Sequence, residues 1–436
     1  MRRVLLIFTT LLLCGTANAQ GKSHRKSPTP PREPEVVVVD DESCGCELYF
    51  YDGIQTTYRD SLFGFKLADG TELVPPRYKF VDHWHGDYCI VLSDYDRYGL
   101  INRQGQELVP TIYEDVIYPT DSMIRVMQHG LYGYLRADGS KAVAPQYRAA
   151  SGFSEGLAVV TVASDSGRLV YTFVDHDGHQ VFDATYDYAY PFQNGYAVVK
   201  RDERYGIIDR RGSVVVPIRH ESVTGVDPNG LFAVFDPAVQ KFAMFNTRGR
   251  QITPYLYDAI SGYGDGYYLF QRDGRYGYFN VHGHERFGLY ESANAFVDGL
   301  AMVARDGRYG IIDTRGREVL PIAYDNSYTS PDNYFFHDGL AVVEKDHLFG
   351  YCDTKGNIVI PPQYQNCFRF TDGRAPVKKD YGWGYIDTEG DFVVPPIFDY
   401  ASPFQYGRAD VVHKSHSYKI NVDGRCVKNC YKFPEY

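Results

Sequence analysis

Seven cysteines follow Cys14 in this chain of 436 residues: Cys44, Cys46, Cys89, Cys352, Cys367, Cys426 and Cys430. Thiols at such spacings can form disulfides, bind a metal as thiolates or act as nucleophiles. Cys352 and Cys367 fall within one repeat unit and read either as a bridge or as two buried thiols. Cys44-Gly45-Cys46 and Cys426-Val-Lys-Asn-Cys430 lie near opposite ends of the chain and allow local loops or a bridge between the termini. A direct Cys44–Cys46 bridge would close a strained ring. Histidine pairs occur at His83/His85, His176/His179, His282/His284 and His413/His416. Three of the four sit in predicted turns or strand ends, where a solvated polar residue is ordinary. The cysteine spacing matches no zinc pattern. Asp94-Tyr-Asp96-Arg-Tyr-Gly99 starts like a calcium loop but has no Glu at the twelfth position. A nucleophile elbow, a phosphate-binding Gly-rich loop and a zinc-protease helix motif are all missing from the sequence. The expectation is therefore no catalytic residue, cofactor or metal, with Cys44, Cys46, Cys352, Cys367, Cys426 and Cys430 as disulfide candidates.

The composition says what must hold these residues. Tyr occurs 39 times and Phe 26 times against 5 Met and 2 Trp, a bias toward aromatic strand formers that disfavours a helical protein. With 45 basic and 55 acidic residues the formal net charge is −10, and no sustained basic stripe suggests nucleic acid as partner. A mean hydropathy of −0.36 is too low for a polytopic membrane protein. Residues 1–19 read as a secretory signal peptide: Arg2 and Arg3, an apolar run from Val4, then Ala17-Asn18-Ala19 before Gln20. Lipid anchoring through Cys14 is the alternative, but a lipobox needs a small residue where Leu13 stands. Cleavage removes the two arginines and takes the net charge from −10 to −12. The mature chain is then expected in the periplasm, on the cell surface or secreted, without a transmembrane segment. Residues 20–35 are basic and Pro-rich and read as a disordered linker.

The rest repeats. An aromatic-Gly pair, or its remnant, starts at Phe63, Tyr98, Tyr132, Tyr171, Tyr205, Phe242, Tyr276, Tyr309, Phe349, Trp383 and, in worn form, Ser417. Seven residues after each start stands a Gly, from Gly70 to Gly424, and four after it stands Asp or Asn in nine of the eleven. An aromatic recurs fifteen residues on, as at Tyr113, Tyr186 and Phe398. In the unit that begins Tyr309-Gly310-Ile-Ile-Asp313, the apolar run predicts a strand and Asp313-Thr-Arg-Gly316 a turn, since Asp can bond its own backbone and Gly tolerates positive φ. Glu318-Val-Leu returns as a second strand, which Pro321 ends or confines to an edge. Gly339-Leu-Ala-Val-Val343 predicts a third. Two apolar residues follow most starts, so that strand should be covered on both faces and the units should stack. The fold expected is all-β: a tandem array of about eleven three-stranded units over residues 63–436, an open curved superhelix or propeller-like, with N-terminal cap strands at 36–62.

The pattern of aromatic-Gly, two apolar residues, Asp or Asn, two variable residues and Gly, followed by Pro and Tyr-Asp, resembles the bacterial WG-repeat family, also called KWG repeats. Tyr98-Gly99, Tyr205-Gly206 and Tyr309-Gly310 carry it, and Trp383-Gly384 is the one eponymous pair. Thr172 and Ala243 replace the Gly in their units, and the units from Tyr171 and Tyr276 lack the Pro. The resemblance implies an exported all-β repeat protein without catalytic chemistry that binds something. The expected function is a non-catalytic binding scaffold for protein or envelope glycan, with an enzyme assembled from several loops, or a structural envelope component, as rivals. Two long spacings insert loops where arrays often bind: Asp165, Ser166 and Arg168 in one, Tyr328, Asp332, Asn333 and Tyr334 in the other. Tyr263, Tyr267 and Tyr268 are further rings that could stack on sugars, or belong to the core.

The signal reading is tested by intact mass of the exported protein. A mature N-terminus at Gln20 is expected, and a lipidated Cys14 would contradict it.

Overall fold

Short runs of Val, Ile, Leu, Tyr and Phe, each closed within six or seven residues by an Asp-Gly or Asn-Gly turn, leave strands as what this chain can build. The computed structural model describes residues 36–41, 46–51, 53–325, 336–434 and 436, with side chains from residue 53 onward. The expected signal and linker lie outside the described residues. These form 40 strands in eleven successive sheets, every pairing antiparallel and every sheet a meander in chain order. Among them no helix is long and apolar enough to cross a membrane.

The all-β array is as expected, but its unit differs from the one read in the sequence. Arg308–Asp313 and Glu318–Tyr324 form the predicted hairpin, with Tyr309 opposite Tyr324. The third strand, Leu340–Lys345, pairs forward with Leu348–Asp353 and not back onto that hairpin. A sheet therefore straddles two sequence units. Seven of the eleven sheets have four strands rather than three: a two-residue strand such as Phe80–Val81 or Tyr188–Ala189 opens six of them, and the six-residue strand Ala259–Gly264 opens the seventh. Two residues are too few to show alternation in a sequence. Val36–Asp41 and Cys46–Tyr51 extend the first sheet to five strands.

The paired apolar residues after each start explain the stacking. Successive residues of a strand point to opposite faces, so Ile208 enters the core shared with the preceding sheet and Ile207 the core shared with the following one. Ile312 and Ile311 divide in the same way. Ten apolar clusters result, one at each junction between consecutive sheets. Among the described residues no such cluster joins the last sheet to the first.

The Gly of the aromatic-Gly pair is a crossing point. Tyr205 pairs with His220 but Ile207 pairs with Val216, so the outer strand arches over Gly206 with two extra residues, Pro217 among them. Pro fits there because the arch makes no ladder bond. A Cβ on Gly206 would lie 2.5 Å from the Val216 carbonyl oxygen, and one on Gly384 would lie 2.5 Å from that of Val394. The same carbonyl crowds Gly99 and Gly310 at 2.7 Å. Where the Gly is lost, the arch is lost. Thr172 and Ala243 stand in the two sheets that keep only two strands, their outer segments touching through the single bridges Tyr171–Tyr186, Val174–Gln180, Phe242–Tyr257 and Phe245–Gln251. In the last unit Tyr418 fills the Gly position and the outer strand shrinks to Cys426–Lys428.

Gly206→Ala and Gly384→Ala should each destabilise by about 1–3 kcal/mol, the cost of forcing a methyl into a filled space, and should release amide protection in Val214–His220 or Phe392–Phe398. Gly225→Ala, where a Cβ meets nothing within 4 Å, is the control. Equal melting of all three variants would refute the crossing requirement.

Candidate functional site

The recurring carboxylates are the first groups to account for. Asp313 Oδ1 accepts the amides of Arg315 and Arg317, each at 2.9 Å. Asn102, Asp209, Asp353 and Asp387 cap their turns in the same way. Burial alone would raise the Asp313 carboxyl, but the amides of Arg317 and Arg315 and the Arg317 guanidinium outweigh it and hold the group below the ordinary carboxylate range. The Asp or Glu after the second aromatic caps the next hairpin: Asp258 Oδ2 accepts the Asp273 amide at 2.7 Å, and Asp399 Oδ2 the Lys414 amide at 2.7 Å. A third set links neighbouring units. Asp121, Asp338 and Asp372 accept the amides of Gly156, Gly373 and Gly407 at 2.7–2.9 Å, in equivalent turns one unit further on. The repeat spends its acids on backbone donors.

The cysteines separate. Cys426 and Cys430 form a disulfide. Cys352 and Cys367 are free and buried, the second of the two readings open to the sequence: Cys352 belongs to the core with Leu320 and Val343, Cys367 to the next core with Ile360 and Tyr364. One sheet stands between those cores. Cys89 is also a buried free thiol. Cys44 and the side chain of Cys46 lie outside the described residues. No group of three or more His, Cys, Asp or Glu suited to a metal occurs among the described residues. The repeat aromatics Tyr98, Tyr205 and Tyr309 are half-buried at the edges of their cores, and Trp383 is buried with its ring stacked on Phe368 at 5.3 Å.

Of the two inserted loops, Tyr328, Asp332, Asn333 and Tyr334 lie outside the described residues. The other is a tight turn in which the Gly167 amide bonds the Ser164 carbonyl at 2.8 Å, with Asp165, Ser166 and Arg168 exposed. Arg168 forms an ion pair with Asp187, whose other oxygen accepts the Asp202 amide at 2.7 Å. Directly after Asp187 come Tyr188 and Tyr190, 41% and 46% exposed. Tyr171 and Tyr188 have ring centroids 4.9 Å apart, and Tyr188 and Tyr190 are also 4.9 Å apart. Partial burial raises the Tyr190 phenol above its ordinary value, with Tyr205 and Tyr188 adding to the rise and Lys200 opposing it, so the ring is neutral in water near pH 7. The loop thus meets a strip of three tyrosines bordered by Arg168, Asp187 and Lys200. Sequence reasoning missed this strip, although Tyr186-Asp-Tyr-Ala-Tyr190 was its only signal. Of the other rings, Tyr263 is 43% exposed, Tyr268 is buried, and the Tyr267 hydroxyl bonds the Thr314 carbonyl at 3.0 Å.

A family model described as WG containing repeat matches seven segments: 98–132, 132–163, 171–205, 243–276, 309–347, 349–382 and 383–414. The chain belongs to the WG-repeat family. In this member the crossing Gly is kept more widely than the Trp before it. No curated protein matches the sequence. Similar solved structures include a eukaryotic initiation factor, with a TM-score of 0.39 and 12% identity over 66% of this chain and 88% of that one. Hsv2 from Kluyveromyces lactis gives 0.27 and 13% over 56% and 93%. The extracellular domain of a hybrid two-component system, BT3049 from B. thetaiotaomicron, gives 0.22 and 8% over 93% and 72%.

The depressed Asp313 carboxyl gives stability that is present above its unfolded value of about 3.9 and is lost as the pH falls through the lower folded value. Asp313→Asn should therefore cost about 1 kcal/mol at pH 7, a cost that shrinks as the pH falls below the ordinary carboxylate range, read by thermal melting. A difference that persists unchanged in acid would remove the charge from the role assigned to it.

Proposed function

We propose that this WG-repeat chain is an exported, non-catalytic scaffold that binds envelope glycan through the Tyr171, Tyr188 and Tyr190 strip and the Arg168 loop beside it. The observation that carries the reading is the pair of half-exposed tyrosines at 4.9 Å, bordered by the Arg168–Asp187 ion pair. Tyrosine faces take the apolar face of a sugar ring, and a guanidinium and a carboxylate at their border can share its hydroxyls. A few rings in line suit one or two sugar units, whereas a stable protein interface needs roughly 800 Å² per partner. Non-catalytic action is supported by the carboxyls: those displaced among the described residues, such as Asp175, Asp258, Asp313 and Asp353, are all displaced downward and engaged by amides or cations. General acids need the opposite shift. Export is supported by the N-terminal Arg-apolar-Ala pattern and by the Cys426–Cys430 disulfide, a bond that persists in oxidising compartments.

The test is binding of the mature protein to immobilised envelope polysaccharide and peptidoglycan fragments. Tyr188→Ala with Tyr190→Ala should weaken binding at least about tenfold, the loss of one to two ring-stacking contacts, with melting unchanged. Undiminished binding by that variant, or hydrolysis of the glycan by the wild type, would reject the proposal.

A further inference from the structure

The hairpin turn that opens each aromatic-Gly strand is acidic along most of the array. Asp60, Asp202, Asp273, Asp306, Asp346 and Asp380 all occupy its first left-handed position, with φ between 48° and 56°. In the last unit that position is Lys414, at φ 48°. The backbone is unchanged, since the Lys414 amide still meets Asp399 at 2.7 Å as the Asp273 amide meets Asp258. Only the charge is reversed. The residues on either side of the turn are Arg201/Arg204, Arg272/Arg275 and Arg305/Arg308 in three earlier units, and His413/His416 here.

These substitutions converge on a groove of about 520 Å³ at the end of the array, a volume within the range of small-molecule sites. Lys414, Lys432, His413 and His416 line it, with Ile397, Tyr418 and Pro434, and no carboxylate does among the described residues. Both imidazoles are fixed. His413 Nδ1 lies 2.9 Å from the Ile397 carbonyl oxygen and His416 Nδ1 2.9 Å from that of Lys414. A carbonyl can only accept, so each Nδ1 carries the hydrogen and, in the neutral ring, each Nε2 is an acceptor. The far wall is equally fixed. Cys430 is bonded to Cys426, the Tyr418 hydroxyl donates to the Lys432 carbonyl at 3.0 Å, and Phe433 packs edge-on to Tyr418 at 5.2 Å. The groove is preformed and cationic in a chain whose formal charge is −10.

We infer that this groove binds an oxyanion, phosphate or carboxylate, carried on a molecule of monosaccharide size, with Lys414 and Lys432 supplying charge to the anion and the two Nε2 atoms accepting from the hydroxyls of the molecule that carries it. The site is separate from the tyrosine strip and stands or falls independently of it. Calorimetric titration of the mature, oxidised chain at low salt with inorganic phosphate, glucose 6-phosphate, glucuronate and glucose is the test. Glucose 6-phosphate or glucuronate should bind and glucose should not, and the better of the two identifies the anion. Lys414→Gln with Lys432→Gln should weaken that binding at least about tenfold, the loss of charge-assisted contacts, while Lys419→Gln, whose lysine pairs with Asp410 at 3.3 Å outside the groove, should not. Binding of glucose as strong as that of the anions, binding of none of the four, or an affinity unchanged in the double variant would overturn the inference.

Discussion

The arch of the outer strand over a glycine organises the rest of this molecule. With only a hydrogen where a Cβ would stand, the aromatic-Gly strand lets the returning chain cross so closely that its carbonyl lies 2.5 Å from the Cβ position at Gly206 and Gly384. The crossing sets the register shift, gives proline a place without a ladder bond, and returns the second aromatic to lie opposite the first, as Tyr324 does opposite Tyr309. That second aromatic then fills the junction with the next sheet. Thr172 and Ala243 show the converse, since a Cβ at the crossing coincides with loss of the outer strand in both sheets.

Each interior sheet is buried on both faces by its neighbours, so stability is a sum of nearest-neighbour junctions. Among the described residues the last sheet shares a core with one neighbour, and Tyr418 stands at its crossing position. Its compensation is local: the Cys426–Cys430 disulfide and Phe433, which packs on Tyr418 and Phe398. The disulfide and Phe433 also hold the wall of the cationic groove.

Chemistry elsewhere is constrained by how completely the turns consume carboxylates. An aspartate that accepts two amides, as Asp313 does, has little acceptor capacity left and is stabilised as the anion. The groups the turns do not employ include the tyrosines beyond Asp187, the Arg168 loop, and the lysine and histidines of the last turn, and the two proposed sites are built from these.

The repeat, its period, its turns and the burial of its central strand on both faces were legible in the sequence, because each is a local pattern. Asp313 and Gly316 close a turn whatever surrounds them, and Ile311-Ile312 can only be a strand with apolar neighbours on both sides. The pairing partner of Leu340–Lys345 was not legible, since an antiparallel strand fits the hairpin before it or the one after it equally well, and only the stacking of sheets decides. Cys352 and Cys367 are fifteen residues apart in one sequence unit, yet they face different cores because a sheet lies between them. Tyr188 and Tyr190 have the same composition as the buried Tyr186, and only the fold determines which rings water reaches. Local chemistry determined the units of this protein, and the order in which sheets meet determined its surfaces.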